Sequence, residues 1–289
     1  MPELPEVEYV RRLLRGAMER VRIARVLARR PNLRYPLGSD FVSRLEGQTV
    51  RAVSRRAKYL VVELASGETL VMHLGMSGWF RVARPQSPGG PTARGRSNGG
   101  RYYDRAQLEA HDHIVFEMSS GAAVIFNDPR RFGFMKVLTA AALAADRALS
   151  ILGPEPLDRA FTADVLAARL KGKKGATLKA ALLDQRVVAG LGNIYVSEAL
   201  HRAALSPTRR AATLVTRSGT PTPRAFALVD AIKATLRDAI SNRHRAGGAD
   251  RFLVYDHEGR RCPRRGCRGT IKRRVQLGRS TFFCPVCQR

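Results

Sequence analysis

Apolar residues Val7, Val10, Leu14, Ala17 and Val21 recur at three- and four-residue spacing, which predicts a helix over 5–21. Arg11, Arg12 and Arg15 fall on its other face, and Pro5 suits a first helical turn. The texture then turns to short β-like runs. Runs 59–64 and 69–74 flank Ala65-Ser66-Gly67-Glu68, and runs 114–118 and 122–126 flank Ser119-Ser120-Gly121; both read as hairpins. A further strand is expected over 133–138. Hairpins without βαβ alternation predict a sandwich or barrel-like sheet. Residues 83–105 are rich in Pro, Gly and Arg and read as a loop. From about 140 the pattern predicts helices over 140–150, 161–170, 176–186, 193–203 and 224–242. The stretch Gly153-Pro154-Glu155-Pro156 reads as a linker, 252–256 as a strand and 271–283 as a hairpin.

Composition narrows the partners. The 289 residues carry 51 Lys and Arg against 24 Asp and Glu, a formal charge of +27. A charge of that size speaks to a polyanionic partner, and nucleic acid is the default. Eight of the basic residues are lysines, and Lys58 is the only one before position 136. No run of 18 apolar residues exists, so no membrane-spanning helix is expected, and the acidic N-terminus lacks the apolar core of an export signal.

All four cysteines lie near the C-terminus. Four residues separate Cys262 from Cys267, two separate Cys284 from Cys287, and sixteen separate the pairs. Two knuckles at that separation match a closed tetrahedral zinc site of four thiolates with a structural role. A disulfide pair is disfavoured in a chain without an export signal. Residues 243–289 hold 13 Lys and Arg against three acidic residues, so this unit too suits a polyanion.

The N-terminus offers chemistry. Met1-Pro2-Glu3-Leu4-Pro5-Glu6-Val7-Glu8 places two prolines and three carboxylates at the start. Once Met1 is removed, Pro2 presents a secondary amine, which condenses with an aldehyde to a cationic iminium, an electron sink. An α-amino group titrates near about 8, so part of it is neutral at pH 7. Glu3 beside it suits proton transfer. Taken alone, the segment reads more readily as an acidic helix start favoured by the helix dipole.

Further motifs follow in one order: Arg56-Ala57-Lys58-Tyr59, His73-Leu74-Gly75-Met76-Ser77-Gly78, Asp128-Pro129-Arg130-Arg131-Phe132-Gly133, Gly190-Leu191-Gly192-Asn193-Ile194-Tyr195, then the cysteines. Together with the N-terminus they resemble the formamidopyrimidine-DNA glycosylases, bacterial-type enzymes that remove oxidised purines. The resemblance covers nearly the whole chain. It implies an α+β multidomain fold: a β-sandwich with an N-terminal helix over 1–138, a helix–two-turn–helix domain over 139–248 and a zinc-finger β-hairpin over 249–289. DNA is expected in a basic cleft between the domains.

The resemblance also implies roles. Pro2 attacks the sugar C1′, the base leaves, and β- then δ-elimination cut the strand. Glu3 matches the acid/base that helps open the sugar ring, and Glu6 a second, structural carboxylate. Lys58 matches a phosphate contact that assists β-elimination, and Arg279 the zinc-finger arginine that assists δ-elimination. His73 and Asn193 match phosphate contacts. Gly190-Leu191-Gly192 suits close backbone approach, and Asn193 is expected to cap a helix whose N-terminus receives phosphate. Met76 and Phe132 match wedges that fill the hole left by a flipped nucleotide, with Arg130 facing the orphaned base. His111 and Lys174 match further DNA contacts. Each has a plainer reading: Lys58 and Arg279 as surface cations, His73 as a half-buried strand residue, Asn193 as a cap alone, Met76 and Phe132 as core. The implied partner is double-stranded DNA bearing oxidised purines or abasic sites, the implied cofactor one structural Zn2+, and the expected state a monomer in the cytoplasm, associated with the nucleoid.

Three features depart from the family pattern. The first knuckle has four intervening residues where many relatives have two. The 83–105 loop is long. Residues 243–251 form a shorter connection than the segment that in many relatives folds over flipped 8-oxoguanine, so reduced or shifted lesion choice is expected. The sister endonuclease VIII type usually begins Pro-Glu-Gly-Pro-Glu; Leu4 replaces that glycine here. A non-catalytic DNA-binding protein would share the charge and the zinc hairpin, but has no need of Pro2, Glu3 and Lys58 together.

Overall fold

The computed structural model describes residues 2–83, 109–173, 175–244 and 252–289, and the side chains of 109, 243 and 244 fall outside that description. The expected 83–105 loop (beyond Ala83), Lys174 and the connection at 245–251 therefore lie outside the described residues. Two compact units divide the chain after Ser150, the second comprising Ile151 to Asn242 and the C-terminal residues from 252.

In the first unit, helix α1 (Leu4–Met18) has Pro5 in its first turn, as expected, and buries Val7, Val10, Leu14, Ala17 and Met18. It stops at Met18 rather than at 21. Glu19 turns extended, Arg20 takes a positive φ of 65°, and its N–H goes to the Val50 carbonyl instead of a helical one. Next come strand β1 (Ile23–Ala28), the short helix α2 (Phe41–Leu45), β2 (Val50–Arg56), β3 (Tyr59–Leu64), β4 (Thr69–His73) and β5 (Trp79–Ala83). A 3-10 turn at Glu109–His111 leads into β6 (Asp112–Met118), β7 (Ala123–Asn127) and β8 (Phe134–Leu138). Both expected hairpins are present, paired antiparallel as Tyr59–His73 and Phe116–Val124.

The strands make two four-stranded antiparallel sheets, ordered β1-β6-β7-β5 and β2-β3-β4-β8. Their inner faces share one core: Val26, Phe80, Ile114, Phe116, Val124 and Phe126 from the first sheet, Val53, Leu60, Val62, Leu70, Met72 and Val137 from the second. The apolar stripe of α1 joins that core, so the expected sandwich is what forms. Each such side chain contributes about 1.5–3 kcal/mol on burial. Glu8 ties α1 to β2 through Arg55 at 3.3 Å and accepts from Arg11 and Arg12. Burial works to raise its pKa, but the hydrogen bonds from Arg11 and Arg12 prevail and lower it to about 2.

The helix expected over 140–150 is two helices, α3 (Ala140–Ala144) and α4 (Arg147–Ser150). Asp146 causes the break: its Oδ1 accepts the Ala148 and Leu149 N–H groups at 3.1 Å, starting a new helix, while the carboxylate pairs with Lys136.

The second unit holds α5 (Ala163–Leu170), α6 (Leu178–Leu183), α7 (Asn193–Arg202) and α8 (Pro223–His244), with β9 (Lys272–Gln276) and β10 (Arg279–Phe283) as the C-terminal hairpin. Thr162 and Thr177 cap α5 and α6 with side-chain hydroxyls. Leu166, Leu178, Leu182, Val188, Tyr195, Leu200, Leu228 and Ile232 are buried. The strand expected over 252–256 is not formed. The Glu198 carboxylate takes the N–H groups of Leu253, Val254 and Tyr255 at 2.7–2.9 Å, which leaves none of those donors for a sheet.

Candidate active site and metal centre

The N-terminal carboxylates fix the start of the first unit. Pro2 and Glu3 are buried. Glu6 Oε2 accepts the Glu3 N–H at 2.6 Å in a capping box, so Glu6 sets the direction of the chain carrying Pro2. The segment is thus both a helix start and a rigid mount for its terminal residues.

Lys58 sits in the two-residue turn joining β2 to β3, beside Ala57 with φ +52°. Its charge acts on His73 at the end of β4. His73 stacks on Phe134 with ring centroids 5.4 Å apart and leans on Tyr59. Burial, reinforced by Lys58 and Arg34, lowers its pKa to about 4. Nδ1 accepts the Gly75 N–H at 3.0 Å, which puts the ring proton on Nε2. The result is a neutral imidazole with an N–H donor, the form that can bond a phosphate oxygen near neutral pH.

Met76 and Phe132 are brought together by backbone docking. Gly75 has φ +64°, and a Cβ there would lie 2.3 Å from the Phe132 carbonyl carbon. Only glycine lets the turn after β4 approach the 128–133 loop so closely. Asp128, fully buried, organises that loop: Oδ1 accepts from Ser77 Oγ at 2.6 Å and Oδ2 from the Gly133 N–H at 2.7 Å. Met76 and Phe132 are 38% and 40% exposed, which excludes the core reading for both. Arg130 lies over the Phe132 ring, 4.8 Å from its centroid. His111 is partly exposed in the 3-10 turn, and its carbonyl accepts the Asp128 N–H at 3.0 Å, joining it to the same loop.

In the second unit, Gln185 shapes the Gly190-Leu191-Gly192 turn. Its Oε1 accepts the Gly190 N–H and its Nε2 donates to the Leu191 carbonyl, both at 2.9 Å. Asn193 is not the cap of α7: extended Gly192 holds that position, and Asn193 is the first helical residue. Its amide is committed elsewhere, Nδ2 donating to the Ser280 carbonyl at 2.9 Å. Lys179 donates to that carbonyl at 3.1 Å and to Thr281 Oγ1 at 2.6 Å, although its side chain is buried. Two donors thus hold the residue next to Arg279, which is exposed at the start of β10. Lys179, Gln185, Ser77 and Asp128 were not singled out by sequence reasoning. A lysine among Leu178, Ala181 and Leu182 on the apolar side of α6 is the one signal that could have marked Lys179. Lys174 lies outside the described residues.

The four cysteine sulfurs lie within 4.8 Å of one another. Cys262 to Cys287 is 3.8 Å and Cys267 to Cys284 is 3.6 Å. Tetrahedral thiolates on zinc at about 2.3 Å stand about 3.8 Å apart, so the set fits one Zn2+. Gly269 is required beside it: a Cβ there would be 2.5 Å from Cys284 Sγ, and its N–H donates to Cys267 Sγ at 3.4 Å. The metal would be held by the two knuckles and would knit a small core of Val254, Ile271 and Phe282.

Comparison with known proteins agrees across the chain. Residues 1–135 match the formamidopyrimidine-DNA glycosylase N-terminal domain, 152–248 the H2TH domain of the same enzyme, and 259–289 the zinc finger found in FPG and IleRS. Formamidopyrimidine-DNA glycosylases of Rhodopseudomonas palustris strain HaA2 and Bradyrhizobium sp. strain ORS 278 are 55% and 54% identical, each aligned over the full length of both chains. A crystal structure of Lactococcus lactis Fpg with abasic-site DNA matches with a TM-score of 0.80 at 29% identity, and one of MutM with DNA containing carbocyclic 8-oxo-G with 0.78 at 30%. Both structural matches cover the whole of each chain. With three domain matches in order and more than half of all positions shared with full-length relatives, this chain belongs to the formamidopyrimidine-DNA glycosylase family.

Proposed function

We propose that this chain is a bifunctional base-excision repair enzyme that removes oxidised purines, formamidopyrimidines foremost, from duplex DNA and then cuts the strand at the abasic site. The observation that carries the proposal is the buried Pro2-Glu3 pair on a mount fixed by Glu6. The Pro2 amine, freed by removal of Met1, attacks C1′; the N-glycosidic bond breaks and the base departs with a proton. The C1′–N bond becomes an iminium, which acidifies the C2′ proton, and loss of that proton expels the 3′-phosphate. A second elimination expels the 5′-phosphate. Glu3 moves the proton that opens the sugar ring, Lys58 and Arg279 hold phosphates through the β and δ steps, and His73, Asn193, His111 and Lys174 grip the backbone. Met76 and Phe132 fill the vacated stack and Arg130 meets the orphaned base. One structural Zn2+ holds the C-terminal hairpin.

Among the described residues no helix is long and apolar enough to cross a membrane. We place the enzyme in the cytoplasm, as a monomer on the nucleoid, where its substrate lies. The short connection between α8 and residue 252 lowers the rate on 8-oxoguanine relative to formamidopyrimidine; equal excision of both lesions in matched duplexes would refute this part.

Borohydride trapping on a duplex with one abasic site tests the chemistry. A covalent adduct is expected with the processed chain and none with a form carrying an added N-terminal residue. No adduct from the processed chain, with tight DNA binding intact, would leave a binding protein without lyase chemistry.

A further inference from the structure

We propose that His201 is a positioning residue of the zinc centre, donating an Nε2–H···S hydrogen bond to the Cys262 thiolate and coupling the metal to the end of α7. His201 stands in the last turn of α7, 2% exposed, with Nε2 3.4 Å from Cys262 Sγ. No ligand role accounts for it, since the four cysteines already complete the tetrahedron.

The charge balance explains why a donor is needed. Four thiolates around one Zn2+ leave a net charge of −2, and Cys262 and Cys284 are buried. A buried negative site requires hydrogen-bond donors. Gly269 supplies one to Cys267, and His201 supplies one to Cys262. A metal-bound thiolate has no proton, so the imidazole is the donor and carries its proton on Nε2. Among the described residues Nδ1 is buried without a partner. An unprotonated Nδ1 tolerates that better than an N–H would. The neutral Nε2–H tautomer is the one that fits.

The enlarged first knuckle completes the coupling. Arg264, one of its four intervening residues, donates Nη2 to the His201 carbonyl and, at 3.2 Å, to that of Arg202. These are carbonyls of the last turn of α7, where the helix ladder runs out; that of His201 also accepts the Ala204 N–H at 3.0 Å. One knuckle therefore receives a hydrogen bond from the His201 ring and returns one to its backbone. The other end of the same helix begins at Asn193, bound to the Ser280 carbonyl of the hairpin. The zinc-finger unit and α7 are thus joined at both ends of a ten-residue helix, at the hairpin by Asn193 and at the cysteines by His201.

The test uses the full chain. His201→Phe keeps the ring volume and removes the donor; His201→Gln restores an N–H. With cobalt(II) in place of zinc, His201→Phe is expected to shift the thiolate-to-cobalt charge-transfer band to lower energy, because a thiolate without its hydrogen bond is more electron-rich. Its zinc affinity in chelator competition should fall about 10- to 100-fold, with partial recovery in His201→Gln. Identical bands and affinities in wild type and His201→Phe, or the same loss in both variants, would reduce His201 to packing and overturn the proposal. Should the variants fail to fold, long-range 1H–15N spectra of the zinc-loaded wild type decide: an Nε2–H tautomer supports the hydrogen bond, and an Nδ1–H tautomer refutes it.

Discussion

Ser77 Oγ donates to Asp128 Oδ1 at 2.6 Å, a hydrogen bond between the turn after β4 and the loop after β7. It holds Met76 and Phe132, from separate loops, in one exposed presentation. Asp128 also accepts the Gly133 N–H, and Ser77 Oγ in turn accepts the Arg130 N–H at 3.3 Å. Every donor of this network points at one buried carboxylate or at the hydroxyl bonded to it. Asp128→Ala would orphan the Ser77 hydroxyl and the Gly133 amide, at a cost of about 3 kcal/mol, whereas Ser77→Ala should cost about 1 kcal/mol. Chemical denaturation measures both. Asp128→Ala should also weaken binding to abasic-site duplex more than Ser77→Ala does; equal effects would mean that the carboxylate does not organise the loop.

His73 gives the fold a pH dependence. Its folded pKa, lowered to about 4 by burial and by Lys58 and Arg34, lies below the ordinary histidine value near 6.5. Between those values the unfolded chain binds more protons than the folded one. Stability from this residue is therefore fully present above about pH 6.5 and is lost as pH falls toward 4, in total about 3 kcal/mol. His73→Gln should flatten the rise in stability between pH 4 and 6.5 while leaving a donor in place. A variant with an unchanged slope would show that the imidazole titrates normally in the folded protein.

The hairpins at 59–74 and 114–126 were legible because each pairs a β-rich run with its neighbour across a short polar turn, information local to about 15 residues. The cysteine spacing was legible for the same reason. What escaped depended on partners far along the chain. Residues 252–256 carry β-type side chains and read as a strand, but Glu198, more than fifty positions earlier, claims their N–H groups. Asn193 reads as a helix cap, yet its amide serves a carbonyl 87 positions away and Gly192 takes the cap. Asp146 is the local exception: it split an expected helix by capping the Ala148 and Leu149 N–H groups two and three positions on, a choice that periodicity does not encode. His201 is one more polar residue in a helix until Cys262 is placed beside it.

Leu277 occupies an unfavourable place in the zinc hairpin. It and Gly278 form the two-residue turn between Gln276 and Arg279, with φ +51° and +69°. Positive φ at both central positions defines a type I′ turn, which favours Asn-Gly. Leucine there bears a left-handed backbone penalty of roughly 1–2 kcal/mol, with its side chain 71% exposed. Leu277→Asn is expected to raise stability by about 1 kcal/mol, read as a later thermal transition of the zinc-loaded chain. A fall in stability would mean that the leucine makes contacts that outweigh the strain.

Glu198 provides the last test, because it joins α7 to the segment leading into the zinc hairpin. Its carboxylate accepts three consecutive N–H groups and is 5% exposed. Val254, which donates one of them, is fully buried and belongs to the small core that includes Cys262, Ile271 and Phe282. Losing the carboxylate removes the acceptor of three consecutive amides and loosens one wall of that core. Glu198→Ala should cost about 3 kcal/mol or more, and Glu198→Gln, which keeps one acceptor oxygen, distinctly less. Hydrogen exchange separates a local effect from a global one: amides 253–255 and the β9–β10 ladder should lose protection in Glu198→Ala while β3 and β4 keep theirs. Protection retained at 253–255 in Glu198→Ala would show that the cysteines and their metal hold this segment without help from α7.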